Sequence, residues 1–163
     1  MKPDPDPGHR VLAVRIAAVG LGAYTGVMLA IGLGLGRYWL SLPPLEFATW
    51  FTANFQFLLP TVLATLPLAL AGTVWSLRLA RDEAARRQWW IALALLSVTM
   101  VVTLAYHLPA NIRIWSGELD DPQVRGELTW WLWFHFTLRI APALGAAWLV
   151  AGLATGRNAT SGT

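Results

Sequence analysis

Four long apolar stretches, separated by short polar or charged connections, dominate the pattern of this chain. About 20 residues in a helix, at ~1.5 Å per residue, cross a hydrocarbon core of ~30 Å. The pattern therefore predicts an all-α fold, namely a four-helix transmembrane bundle that forms a single membrane domain over residues 10–156. The predicted helices cover about 11–36, 50–78, 88–108 and 130–154, with an outer loop at 109–129, a disordered tail at 1–9 and a polar tail at 157–163.

The second apolar stretch is longer than one straight span needs. It carries no charge from Phe47 to Leu77. Two interpretations remain open: Pro60 and Pro67 kink the helix, or Phe47–Phe55 lies along the interface before the helix enters the membrane.

A stripe of small residues marks the first apolar stretch, where Gly22, Gly26, Ala30 and Gly34 recur at every fourth position. Such stripes let two membrane helices approach closely. We expect the stripe to pack against the protein's own helices, and a homo-oligomer joined through it is the alternative.

Composition supports the membrane class. The 163 residues are 56% hydrophobic and 13% charged, with no cysteine, whereas a soluble domain carries about 25% charged residues. The absence of cysteine excludes disulfides and thiolate metal sites. The basic residues flank the apolar stretches, so we expect the lipid bilayer as partner and no nucleic acid.

The distribution of Lys and Arg predicts the orientation, because basic residues accumulate on the cytoplasmic side of membrane proteins. Eight fall on one side of the predicted bundle and three on the other: Lys2, Arg10, Arg15, Arg78, Arg81, Arg86, Arg87 and Arg157, against Arg37, Arg113 and Arg125. Both termini are therefore predicted to be cytoplasmic. The location is predicted to be the cytoplasmic membrane of a bacterium, with multiple passes.

The fourth stretch places two ionisable residues at membrane depth, His135 and Arg139. A central Arg costs roughly 2.5–3.5 kcal/mol on insertion scales, so it is expected to face the bundle interior. Four residues apart, the two side chains share one helical face. Arg139 is expected to reach a backbone carbonyl, Asn111, or an acid such as Glu46 or Glu127.

The predicted topology brings further polar residues to the same outer half of the bundle. They are Asn54, Gln56, His107 and Asn111, with Trp131 as an apolar wall. The tryptophans are otherwise expected to form an interfacial belt: Trp130, Trp131 and Trp133, joined by Trp39, Trp50 and Trp115.

Three interpretations of these polar residues compete. In the first, they clamp the third and fourth helices together. In the second, they form a pocket in which Arg139 holds an anionic or phenolic oxygen and a histidine moves protons. In the third, His107 and His135 ligate a haem. The sequence predicts no other cofactor and no metal site.

Two segments resemble a known family. Tyr106–Trp115 reads Y-H-L-P-A-N-I-R-I-W, and W-W-L-W-F-H-F-T-L-R follows the outer loop. They resemble the anthrone oxygenase-like family of small four-helix membrane proteins, most of unknown function. The matching positions are Pro109 and Asn111, then Trp131, His135 and Arg139. In that family the His and Arg stand three apart, whereas here they stand four apart, and both spacings keep the pair on one face.

The resemblance implies a function for the His135/Arg139 pair. Some members of the family are implicated in oxidising anthrones to anthraquinones with dioxygen and no evident cofactor. The expected function is therefore a cofactor-independent oxygenase acting on lipophilic aromatic or quinone-like molecules, with His135 and Arg139 as catalytic residues and His107, Asn111, Asn54, Gln56 and Trp131 as substrate contacts. The alternative is a non-catalytic membrane protein, an accessory subunit or scaffold.

Overall fold

The computed structural model describes residues 7–155, and this part of the chain is all-helical. It contains four long helices: α1 (Pro7–Ser41), α2 (Pro44–Leu79), α3 (Glu83–Ser116) and α4 (Asp121–Ala154). Each is long and apolar enough to cross a membrane, so the prediction of an all-α fold with four helices of membrane-spanning length is confirmed. The predicted tails fall largely outside the described residues, except that residues 7–9 already belong to α1.

The predicted outer loop at 109–129 is wrong, because the connection between α3 and α4 is only residues 117–120. Gly117 ends α3 in the left-handed conformation (φ 70°) that glycine adopts without strain. Asp120 then starts α4 as a capping box with Gln123, each side chain bonding the other's backbone N–H at 3.0 Å.

The second helix is a single helix of 36 residues that begins at Pro44 and contains both Pro60 and Pro67. At ~1.5 Å per residue it is about 54 Å long, well beyond a ~30 Å hydrocarbon core. It begins six residues before the predicted start. Pro44 fits there because a proline in the first turn lacks only an N–H that has no helical partner anyway.

The four helices form a ring. In it α1 packs against α2, α2 against α3, α3 against α4, and α4 against α1. The closest approach joins α1 to α2. A Cβ on Gly20 would lie 2.5 Å from the backbone N of Ala69, and a Cβ on Gly72 would overlap the backbone of Ala17. Glycine at these positions lets the two backbones touch.

The small-residue stripe does not form this contact. In the described structure, the position that a Cβ would take on Gly22, Gly26 or Gly34 has no atom of another helix within 4 Å. The expectation that the stripe packs against the protein's own helices is therefore wrong. A homo-oligomer through the stripe stays a prediction.

The outward surface of the bundle is apolar along its length. Large side chains such as Val19, Phe57, Leu104 and Trp148 are mostly exposed, as in helices that face lipid.

The predicted tryptophan belt needs one correction. Trp130, Trp133 and Trp115 are exposed, but Trp39 and Trp131 are buried in the core; their rings are 5.5 Å apart between centroids.

Candidate functional site

A sealed polar cluster lies inside the bundle between α1, α3 and α4. It contains His107, Asn111, His135 and Arg139, whose exposed fractions are between 0% and 5%. Arg139 lies about 27 Å along α4 from its start, at ~1.5 Å per residue, which is close to the middle of that helix. The sequence therefore located these four residues correctly on the bundle interior.

Three π-helical turns converge on this cluster. They span Ala30–Leu35 in α1, Thr103–His107 in α3 and Phe136–Ile140 in α4. His107 ends one turn, and His135 directly precedes another that contains Arg139. Such turns interrupt the regular helical pattern and occur frequently at functional sites.

His135 is fixed by a hydrogen bond on each ring nitrogen. Its Nε2 lies 2.9 Å from the carbonyl oxygen of Met28 in α1, and its Nδ1 lies 3.3 Å from Nη1 of Arg139. A carbonyl only accepts and a guanidinium only donates. The geometry therefore assigns the ring proton to Nε2 and leaves the lone pair of Nδ1 to accept from Arg139.

The position of the His135 ring depends on Gly32 in α1. A Cβ on Gly32 would lie 3.1 Å from Cδ2 of His135 and 2.8 Å from Cδ1 of Ile140. The lack of a side chain at Gly32 lets α1 approach close enough for Met28 to accept from the imidazole.

Arg139 has an incomplete set of partners. Its Nη1–H donates to His135, while its Nε is buried without a hydrogen-bond partner. The Tyr24 hydroxyl is close enough to the guanidinium for an electrostatic and weak hydrogen-bonding interaction, but the contact falls short of full hydrogen-bond geometry. Within residues 7–155, no carboxylate pairs with Arg139. The expected pairing with a backbone carbonyl, Asn111, Glu46 or Glu127 is therefore wrong, since the hydrogen bond of Arg139 goes to His135.

Glu127 binds other groups closer to the end of the bundle. Its carboxylate accepts two hydrogen bonds from Arg113, at 2.7 and 3.0 Å, and a third from the Tyr106 hydroxyl at 3.1 Å. This geometry is a bidentate pair that uses the planar guanidinium of Arg113, and it joins α3 to α4.

Trp131 connects the two histidines. Its ring stacks on His135, with centroids 4.9 Å apart, and meets His107 edge-on at 4.7 Å. Its indole N–H donates to Oδ1 of Asn111 at 2.9 Å. The two pairs at helical spacing, His107/Asn111 and Trp131/His135, therefore interlock across the contact between α3 and α4.

His107 contacts two carbonyl oxygens. Its Nδ1 lies 3.3 Å from the oxygen of Val102, and its Nε2 lies 3.3 Å from that of Trp131. A neutral imidazole has one N–H, so it can donate to only one of them at a time. All four ring nitrogens of His107 and His135 thus lie within 3.3 Å of protein atoms in this conformation. No group of three metal-ligating side chains occurs among residues 7–155.

Asn54 and Gln56 do not join the cluster. The amide of Asn54 donates to the carbonyl of Trp50 at 2.8 Å, and that of Gln56 to the carbonyl of Ala53 at 3.4 Å. Both bonds stay within α2, and Gln56 is exposed. Their predicted role as substrate contacts has no counterpart in this geometry.

Sequence reasoning missed several groups around the cluster, namely Tyr24, Met28, Gly32 and Trp39. Tyr24 offered a signal, since it is a phenol in the middle of an apolar stretch and is fully buried. A glycine and a backbone carbonyl offer none until the helices are placed side by side.

Two cavities in the described part of the chain lie near opposite ends of the bundle. One of about 570 Å³ lies where α2 meets the connection between α3 and α4, and its lining includes Thr52, Ile114 and Trp115. Another of about 210 Å³ lies at the opposite end and includes Arg10 and Ser76.

Comparison of the chain with protein-family models, with curated proteins and with solved structures finds no match. The likeness to the anthrone oxygenase-like family therefore rests on the sequence positions Pro109, Asn111, Trp131, His135 and Arg139 alone.

Proposed function

We propose that this protein binds a lipophilic aromatic or quinone-like molecule at Arg139 and His135 and oxidises it with dioxygen without a cofactor. It does so as a multi-pass protein of a bacterial cytoplasmic membrane, with both termini in the cytoplasm. The observation that carries the proposal is the buried guanidinium of Arg139, which lacks a carboxylate partner and has an unpartnered Nε.

A buried charge is costly unless it is paired and hydrogen-bonded. Here the neighbours of Arg139 are the neutral ring of His135 and the hydroxyl of Tyr24, which is itself unpartnered. A ligand with a phenolate or carbonyl oxygen would supply the missing acceptor. The apolar rings of Trp131 and Phe136 beside His135 suit an aromatic ligand body.

The same geometry gives His135 a chemical role. In the sealed state its Nδ1 lone pair accepts from Arg139. When Arg139 turns its N–H groups to a ligand oxygen, that lone pair becomes available to take the proton of a phenol. The resulting phenolate is electron-rich and reacts with dioxygen. For an anthrone, one oxygen atom becomes the new quinone carbonyl, and the other leaves as water with the two methylene hydrogens.

Entry of a ligand requires the bundle to open, because the cluster is sealed. The three π-helical turns are the segments where the regular helical pattern already changes. We assign the opening to these turns, at the contact between α1 and α4 where Met28 binds His135.

A second function is favoured by the low exposure of the cluster and by the bond that joins His135 of α4 to Met28 of α1. In this alternative the cluster is a structural clamp in a non-catalytic membrane protein. Substitutions would then lower stability, and there would be no turnover to lose.

The test is oxygen consumption and quinone formation by the purified protein in detergent with an anthrone as substrate. Since general-base catalysis contributes roughly 10²–10⁴-fold, His135→Ala and Arg139→Met are expected to lower turnover by at least about 100-fold. Thr137→Val is the matched control on α4, because Thr137 is exposed and bonds only the carbonyl of Trp133.

Thermal unfolding of the same samples separates the two functions. Oxygenase activity that disappears in both site variants while their cooperative unfolding persists supports the proposal. A wild-type protein that neither turns over nor is stabilised by anthrones or quinones contradicts it. If both site variants also unfold at lower temperature than the Thr137→Val control, the structural clamp is the better account.

A further inference from the structure

A cavity of about 210 Å³ lies at the end of the bundle where α1 and α3 begin and α2 and α4 end. We call it the Arg10–Ser76 cavity. Its lining comes from all four helices, including Arg10 from α1, Ser76 from α2, Trp89 from α3 and Leu153 from α4. The cavity therefore exists only in the assembled bundle, and it is separate from the His135/Arg139 cluster.

Ser76 presents an unsatisfied hydroxyl at this cavity. The residue is only 4% exposed, and its Oγ has no hydrogen-bond partner. Hydroxyls in membrane helices commonly bond a carbonyl of their own helix, as Thr73 does to Ala69 at 2.8 Å one turn earlier. Because the hydroxyl of Ser76 makes no such bond, it can donate to a ligand in the cavity.

Arg10 presents a second unsatisfied donor. Its Nε is buried and has no hydrogen-bond partner, although the side chain as a whole is half-buried. Arg81 also lines the cavity and adds a second positive charge. The carboxylate of Asp82 is engaged as the cap of α3, where it accepts from the N–H of Ala85 at 2.7 Å. The lining thus carries the positive charges of Arg10 and Arg81 and the negative charge of Asp82, whose carboxylate is already hydrogen-bonded as the helix cap.

The donors stand beside apolar side chains from three helices, which are Val14, Leu79 and Leu153. This end of the bundle is basic as a whole. Six arginines belong to its helix ends and connection, against Asp82 and Glu83: Arg10, Arg15, Arg78, Arg81, Arg86 and Arg87. Basic pockets between membrane helices suit phosphate-bearing headgroups.

We propose that the Arg10–Ser76 cavity binds a phosphate group through the Arg10 guanidinium and the Ser76 hydroxyl. The phosphate is carried by a phospholipid headgroup or is free in solution, and the two sources present the same oxygens. The apolar residues beside the donors favour the lipid, because they would contact the first carbons of its acyl chains.

The experiment uses the full-length protein in two arms. In the first, the delipidated protein is reconstituted with phosphatidylglycerol, and the lipid that remains after detergent washing is counted by native mass spectrometry. In the second, inorganic phosphate is titrated and the thermal shift is recorded. In the first arm, one bound phosphatidylglycerol per chain is expected. If the first arm shows no bound lipid and the second shows a stabilising thermal shift, the ligand is free phosphate.

Arg10→Gln and Ser76→Ala are expected to weaken this binding. Arg10→Gln removes a charge-assisted hydrogen bond and is expected to lower the affinity by about tenfold. Ser76→Ala removes a neutral hydrogen bond, so its affinity is expected to fall by less. Arg15→Gln is the matched control, since it removes the same charge from the same helix at an exposed position. Ser97→Ala controls for the hydroxyl, because Ser97 is exposed and bonds Leu93 in its own helix.

Retention that falls in Arg10→Gln but not in Arg15→Gln supports the site. An equal loss in the two arginine variants means that the basic surface binds anions diffusely, and it overturns the proposal. Absence of both lipid retention and a phosphate shift in the wild type overturns it as well. Val14→Phe fills the cavity without changing charge, so binding that survives this substitution also overturns it.

Discussion

The contact between α1 and α2 predicts opposite effects for the same substitution at two glycines. At Gly72 a methyl group would overlap the backbone N of Ala17 and lie 2.6 Å from its Cα and 2.8 Å from the carbonyl carbon of Ile16. These are backbone atoms, which cannot rotate away as a flexible side chain can. At Gly26, on the outward face of α1, no atom of another helix in the described structure lies within 4 Å of the new methyl group.

The magnitude follows from the contact distances. Carbon atoms pack at ≈ 3.5–4.0 Å, so Gly72→Ala must separate the two helices by roughly 1 Å, and such a gap forfeits a quarter to a half of the dispersion energy across it. Overpacking costs about 1–3 kcal/mol, while alanine gains roughly 0.5–1 kcal/mol over glycine in a helix. Because the overlap is with backbone atoms, the cost lies in the upper part of its range, at about 2–3 kcal/mol, and the net expectation is a loss of about 1–2 kcal/mol. At Gly26→Ala only the gain remains.

The assay is thermal unfolding in detergent, followed by helical circular dichroism. For a chain of this size, 1 kcal/mol corresponds to about 2–4 °C. Gly72→Ala is therefore expected to lower Tm by roughly 2–8 °C, and Gly26→Ala to leave it unchanged or raise it. A Gly72→Ala protein as stable as the wild type would show that the α1–α2 contact is not as close as described. The reasoning also fails if the two variants change Tm by the same amount and sign.

Three further substitutions test the contacts between α3 and α4. Trp131→Phe keeps an aromatic ring but leaves the buried Oδ1 of Asn111 without its donor, so the free energy of unfolding is expected to fall by about 1–3 kcal/mol. Thermal unfolding measures this loss, and an unchanged Tm would show that the bond is not formed. Asp120→Ala removes the cap of α4 and is expected to cost about 1 kcal/mol, measurable as faster amide exchange in the first turn of α4, and unchanged exchange there would count against the cap. Arg113→Gln breaks the pair with Glu127, but Arg113 is 47% exposed, so solvent screening limits the expected loss to about 1 kcal/mol or less; a Tm shift larger than that of Trp131→Phe would contradict this order.

The sequence predicted the four helices because a long apolar stretch has few alternatives to a spanning helix. It also placed His107, Asn111, His135 and Arg139 on the bundle interior, since polar groups avoid lipid. The predicted outer loop is wrong because α3 continues past Pro109 to Ser116 and α4 begins at Asp121, nine residues before Trp130. The signals for the true start were local and present, namely Gly117 and the capping pair of Asp120 and Gln123.

The partner of Arg139 could not be predicted from charge pairing. Glu127, a candidate partner, binds Arg113 and Tyr106 instead. Arg139 bonds His135, four residues away on its own helix, and its other polar neighbour, Tyr24, comes from α1, over 100 residues away along the chain. Gly32 lets α1 approach His135 closely. Such a placement depends on helix packing and on π-helical turns, and neither of them has a sequence pattern of its own.

The buried polar atoms without partners indicate where this bundle can gain from a ligand. Among the described residues there are five, and four of them fall in two places: Tyr24 with Arg139, and Arg10 with Ser76. A cluster that served only to clamp helices would be expected to satisfy its own charge, as Glu127 does for Arg113. His135 has both nitrogens bonded, whereas the cation next to it does not have all of its donors bonded. The energetic cost of the cluster therefore falls on the guanidinium of Arg139, where an acceptor oxygen would satisfy a buried donor.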